Sequence, residues 1–88
     1  MTEFRPYGTD KELDKMVDSE DEGVRYEAAK MGYGLDKLVD DKDWDVRLTV
    51  AEHGYGLDKL VNDKDAEIRR TARAMKKILD KSKDEAER

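Results

Sequence analysis

The sequence contains no cysteine, which removes disulfides, thiolate metal sites, iron–sulfur ligation and cysteine nucleophiles. It has a single histidine, His53, so a metal site would lack a second imidazole. Serine occurs only as Ser19 and Ser82, and no base stands beside either to activate it. Paired carboxylates are abundant, but among 23 acidic residues that is expected by chance. No apolar run approaches the roughly 18 residues that cross a bilayer. The start, Met1 to Pro6, lacks the apolar stretch of a signal peptide. These absences lead to the expectation of a soluble, cytoplasmic protein that is not an enzyme and takes no cofactor or metal.

What is present is charge. The 88 residues, enough for one small domain, are 47% charged and 36% apolar. That is too polar for a thick core and suits thin layers of helices, each with one apolar stripe. The net charge is −5, and the 18 basic residues alternate with acids along most of the chain. Phosphate binding needs gathered Lys and Arg, so no direct nucleic-acid contact is expected.

The order within this composition is a repeat. Gly32 to Asp43 returns as Gly54 to Asp65, 22 residues later, with Asn62 replacing Asp40 as the one difference. The period extends further: Leu13, Leu35 and Leu57 align, as do Met16, Leu38 and Leu60, and Val17, Val39 and Val61. Val24, Val46 and Ile68 form another column, each followed by arginine at 25, 47 and 69, and Ala28, Val50 and Ala72 complete the register. A period of this length marks units that bury their apolar faces only against neighbours.

Each unit reads as a short helix followed by a longer one. Leu35, Leu38 and Val39 share one helical face. The longer helix follows Asp21, Asp43 or Asp65, where a carboxylate accepts free backbone N–H groups. Its inward positions are Val24, Ala28, Met31; Val46, Val50, His53; and Ile68, Ala72, Met75. Gly32 and Gly54 close the first two long helices. The expected architecture is all-α: a short α-solenoid of three 22-residue helix pairs at 10–31, 32–53 and 54–81. Residues 1–9 form an N-terminal cap, with Phe4, Pro6 and Tyr7 as a lid and Thr9 with Glu12 as a capping box. The last helix runs from about Ala66 to the low eighties with Leu79 on its stripe, and 82–88 fray.

The string from Asp43 to Ala51, followed by a turn and then Leu57 to Asp63, resembles the leucine-rich-repeat-variant class of α-solenoid. It also resembles HEAT-like repeats, which share the acidic turn followed by Val-Arg. The likeness covers residues 10 to about 80, and the Gly-Tyr-Gly turn departs from it by replacing a longer, proline-rich connection. The resemblance implies a scaffold that binds other macromolecules.

Several residues stand out against that frame. Arg25, Arg47 and Arg69 each follow an aspartate by four, which predicts pairing one turn away. His53 occupies the column of Met31 and Met75, predicting a packed or half-buried structural residue. Trp44 and Leu48 are four apart on a helix surface, with Leu48 turned to solvent and Tyr26 one unit earlier. Either they form an interface centre or Trp44 caps the space between units. Tyr33 and Tyr55 lie in identical turns, either packed over Gly and Leu or forming a shared aromatic edge. The leading expectation is a protein–protein interaction module using Tyr26, Trp44, Leu48, Tyr33 and Tyr55. The alternative is an acidic inhibitor whose column Asp14, Asp36, Asp58 blocks the basic groove of a nucleic-acid-binding enzyme. A homodimer through imperfectly capped ends is a third.

Overall fold

The structure, a computed structural model, describes residues 10–86, with side chains described from 11 to 81. The expected lid at Phe4, Pro6 and Tyr7, and Thr9 of the capping box, lie outside the described residues. Among those described there is no strand, and six helices follow in order: α1 (Asp10–Val17), α2 (Glu22–Lys30), α3 (Leu35–Leu38), α4 (Trp44–Glu52), α5 (Leu57–Leu60) and α6 (Ala66–Ala86). The Cα trace spans 39 × 37 × 14 Å, a slab.

The 22-residue period in the sequence reappears as identical local geometry. After α2 the Gly32 N–H donates to the Ala29 carbonyl at 2.9 Å and the Tyr33 N–H to the Ala28 carbonyl at 3.0 Å. After α4 the same two bonds run from Gly54 to Ala51 at 2.9 Å and from Tyr55 to Val50 at 3.3 Å. This paired closure requires a left-handed residue at its first position, and both glycines have φ of 75°. Two residues on, Gly34 and Gly56 are left-handed as well, at 69° and 63°, and open α3 and α5. The expected C-terminal glycines are in place, and the second glycine of each turn proves equally constrained.

The core is built from the predicted columns. Leu38, Leu60, Val46, Val50 and Ile68 are the largest fully buried side chains, each contributing about 1.5–3 kcal/mol by leaving water. Leu35 and Leu57 both belong to the packed cluster, the first half-buried and the second buried. α4 lies between α2 and α6, so its Val46, Val50 and Ala51 are all sealed from solvent. Val24, in α2, is only half-buried.

Three expectations need correction. The third inward positions are not inward: Met31 and His53 are exposed, because each caps its helix where the chain turns away. Met75, which stands inside a continuing helix, is half-buried. Asp21 and Asp65 do accept N–H groups, from Gly23 at 2.8 Å and Glu67 at 2.9 Å, but the Asp43 side chain makes no such bond. Finally, α6 continues to Ala86 rather than fraying in the low eighties. Lys, Asp, Glu and Ala after Leu79 include strong helix formers and no breaker. Leu79 is 45% exposed, a partial continuation of the stripe.

Candidate interaction surface

Trp44 is the first residue of α4, in the column that holds Glu22 in α2 and Ala66 in α6. It is 47% exposed. Leu48 and Tyr26, one column over on α4 and α2, are half-buried and packed against the core. Leu48 is thus less solvent-facing than its spacing implied, because α2 and α4 lie close enough to cover one side of it. The Tyr26 ring carries the Lys30 ammonium 5.4 Å from its centroid, within cation–π range. The structure therefore places Tyr26, Trp44 and Leu48 on two adjacent helices, with the tryptophan the most exposed of the three.

The two Gly-Tyr-Gly turns share a backbone but not a side-chain environment. The Tyr33 hydroxyl donates to Asp14 of α1 at 2.5 Å, and its ring is half-buried. Tyr55 is 43% exposed. The expected shared edge therefore has one engaged member and one exposed member. His53 is exposed rather than packed, yet it is not idle: Nε2 lies 3.1 Å from the Lys30 carbonyl oxygen, which accepts only if Nε2 carries the proton. Its ring sits over Gly32. The residue ties the end of α4 to the end of α2.

The arginine column pairs differently from its spacing. Arg25 does not turn back to Asp21; its Nε and Nη2 reach Asp41, 16 residues on, at 2.7 and 3.2 Å. Arg47 repeats this with Asp63 at 2.8 and 3.3 Å. The remaining nitrogen, Nη1, donates to the carbonyl of the residue six earlier, Ser19 for Arg25 at 2.8 Å and Asp41 for Arg47 at 2.7 Å. Asp41 and Asp63 each also accept the N–H two residues on, from Asp43 and Asp65, both at 2.9 Å. Every aspartate of this kind is a node joining its own turn to the preceding helix pair. Both pairs are buried, with side chains 7–8% exposed. The hydrogen bond from Arg25 to Asp41 raises the arginine pKa above its ordinary value.

Burial by itself would push the Asp63 carboxyl up; the hydrogen bonds from Arg47 and the Asp65 N–H, with the charges of Arg47 and Lys64, outweigh it and hold it below the ordinary 3.8. A carboxyl with a lowered folded value takes up a proton first in the unfolded chain. Its contribution is therefore complete above the unfolded value and is lost as pH falls through the folded one. The urea midpoint of the wild-type protein should decline below about pH 4, and Asp63→Asn should flatten that limb. An unchanged acid slope in the variant would exclude Asp63 as its source.

Solvent-exposed pairs follow the same period. Lys37 meets Asp18 at 3.8 Å, and Lys59 pairs with Asp40. Such exposed pairs contribute little, about 0–1 kcal/mol. In the carboxylate column, Asp14 accepts from Tyr33, and Asp58 pairs with Lys76 of α6 at 2.8 Å. The Lys76 hydrogen bond holds the Asp58 carboxyl below its ordinary range. Among the described residues no group of His, Asp and Glu converges as a metal site, and no helix is long and apolar enough to cross a membrane.

Asp41 and Asp63 were missed as the arginines' partners. The signal was nonetheless in the sequence: the position 22 before Asp41 is Ser19, which keeps the turn by accepting the Asp21 N–H at 3.1 Å but has no carboxylate. Compared with known proteins, the chain matches no family model, no curated sequence and no solved structure, so its function is read from its own residues.

Proposed function

We propose that the chain is an α-solenoid of three 22-residue helix pairs, of the HEAT-like or variant-repeat kind, and that it acts as a non-catalytic protein–protein interaction module. The architecture is supported by the matched turns, the aligned buried columns and the two Arg–Asp nodes at equal spacing. The function is supported by one observation above all: Trp44 stands 47% exposed in a column where the other helix pairs hold Glu22 and Ala66. Exposed tryptophan beside half-buried Leu48 and Tyr26 has the composition of a binding centre. The acidic-inhibitor reading has less behind it, since Asp14 and Asp58 of its column are already engaged.

The clean test is Trp44→Glu, which copies the residue of the α2 column and adds a carboxylate at a helix N-terminus, where it is favourable by about 0.3–1 kcal/mol. Protein partners captured by the wild-type chain from its host and identified by mass spectrometry should be lost with Trp44→Glu, at unchanged circular dichroism and an undiminished melting temperature. Undiminished capture would remove Trp44 from the interface. Leu48→Ala is a poorer probe, because Leu48 also packs against the core.

A further inference from the structure

Arg69 is the third arginine of the column, and it makes half of the arrangement its predecessors complete. Its Nη1 donates to the Asp63 carbonyl at 2.7 Å, matching Arg25 and Arg47. One edge of the planar guanidinium is thus fixed in the same pose. The other edge, Nε and Nη2, has no partner among the described residues. The residue 16 further on is Glu85, but α6 is continuous through it, which carries it about 24 Å along the axis. Arg69 is half-exposed, whereas Arg25 and Arg47 are buried.

The surface around this open edge has the same character. Arg73 occupies the column of Ala29 and Ala51, both fully buried under the next long helix, and is itself exposed. Arg70 replaces half-buried Tyr26 and Leu48 and is exposed, as are Lys77 and Lys81. Spacings of three and four place Arg70, Arg73, Lys77 and Lys81 on one side of α6. Between Ala66 and Lys81 fall six of the chain's 18 cations and only two of its 23 acids, Glu67 and Asp80. The alternation of charge seen elsewhere fails here, giving an acidic protein one basic face.

We infer that this face docks an acidic segment of a partner protein, with one aspartate held by both free nitrogens of Arg69 and its neighbouring acids met by Arg73 and Lys77. The preferred ligand is a turn of the kind the chain itself presents around Asp41 and Asp63, because those turns are what the same arginine edge takes twice within the fold. Bidentate pairing selects a planar carboxylate. A second copy is disfavoured on both ends: Ser19 stands where a continuing series needs the carboxylate, and two α6 faces repel. The inference does not depend on the Trp44 surface, which lies on another helix.

The test titrates a synthetic peptide copying residues 37–46 into the full chain. NMR follows the Arg69 Nε–H resonance in the wild type and the backbone amide resonances of α6 in the wild type and every variant. Saturable movement is expected, with affinity weakened about tenfold or more in Arg69→Gln and in Arg69→Lys, since both lose the charge-assisted two-nitrogen pairing. A peptide with asparagine in place of Asp41 should bind as weakly, while Trp44→Glu should bind the original peptide unchanged. Arg69→Lys keeps the charge and loses the fork, so wild-type affinity in that variant would overturn the inference in favour of diffuse attraction. Tighter binding of a 12-residue oligothymidylate than of the peptide would overturn it in favour of a nucleic acid. An Arg69 shift that depends on protein concentration alone would overturn it in favour of self-association, and no shift with any probe would overturn it outright.

Discussion

Arg47→Ala is expected to lose about 3–5 kcal/mol of folding stability, the range for breaking a buried ion pair from one side. The loss is large because the Asp63 carboxylate, 8% exposed, would keep its charge and lose two of its hydrogen bonds. The Asp41 carbonyl would lose its donor at the same time. For a chain of this size the melting temperature should fall by roughly 15–30 °C. Arg25→Ala should behave alike, through Asp41 and the Ser19 carbonyl. Arg69→Ala, with one hydrogen bond and a half-exposed side chain, should lose only about 1 kcal/mol. Urea denaturation of the three variants checks the order; equal losses at 47 and 69 would mean that burial of the pair is not what matters. Replacing both partners, Arg47→Met with Asp63→Leu, should recover most of the loss, since apolar isosteres of buried pairs are often neutral.

Gly34→Ala should be comparably damaging for a different reason. An alanine there must hold φ near 69°, and its Cβ would overlap Val17 Cγ2 and stand 3.0 Å from Cγ1. Left-handed backbone adds about 1–2 kcal/mol and overpacking about 1–3 kcal/mol, so a loss of about 2–5 kcal/mol is expected by chemical denaturation. Gly56→Ala should match it, with its Cβ 2.6 Å from Val39 Cγ2. Gly32→Ala isolates the backbone part, because its φ is 75° but the nearest atom, His53 Cε1, lies 3.5 Å away. It should lose only the backbone part, about 1–2 kcal/mol. If Gly32 and Gly34 variants were equally destabilised, the close approach of each turn to the preceding valine would be unimportant.

Much of the helical order was legible because it is local. Leu38 and Leu60, Val46 and Ile68, and the closing glycines follow from periodicity and backbone permissiveness, and both act within a turn or two of chain. The arginine partners were not, since an i to i+4 spacing offers Asp43 to Arg47 and nothing local reveals Asp63 at i+16. Only the columns read across the period carry that information, in the replacement of aspartate by Ser19. His53 departs from its column because it stands one residue past the helix, at the position where the backbone turns away. Tyr33 and Tyr55 show the limit of repetition: identical turns put one hydroxyl on Asp14 and leave the other ring exposed, although Asp36 of α3 occupies the column of Asp14. The basic face of α6 was hidden by a whole-chain count in which acids dominate.

All of this rests on the statement that Arg–Asp nodes join one helix pair to the next rather than stapling a helix to its own cap. Two double-mutant cycles measured by denaturation at neutral pH address it directly. Arg47 with Asp63 should show a coupling of about 2 kcal/mol or more, and Arg47 with Asp43 should be additive within about 0.5 kcal/mol. Strong coupling to Asp43 with additivity at Asp63 would contradict the account.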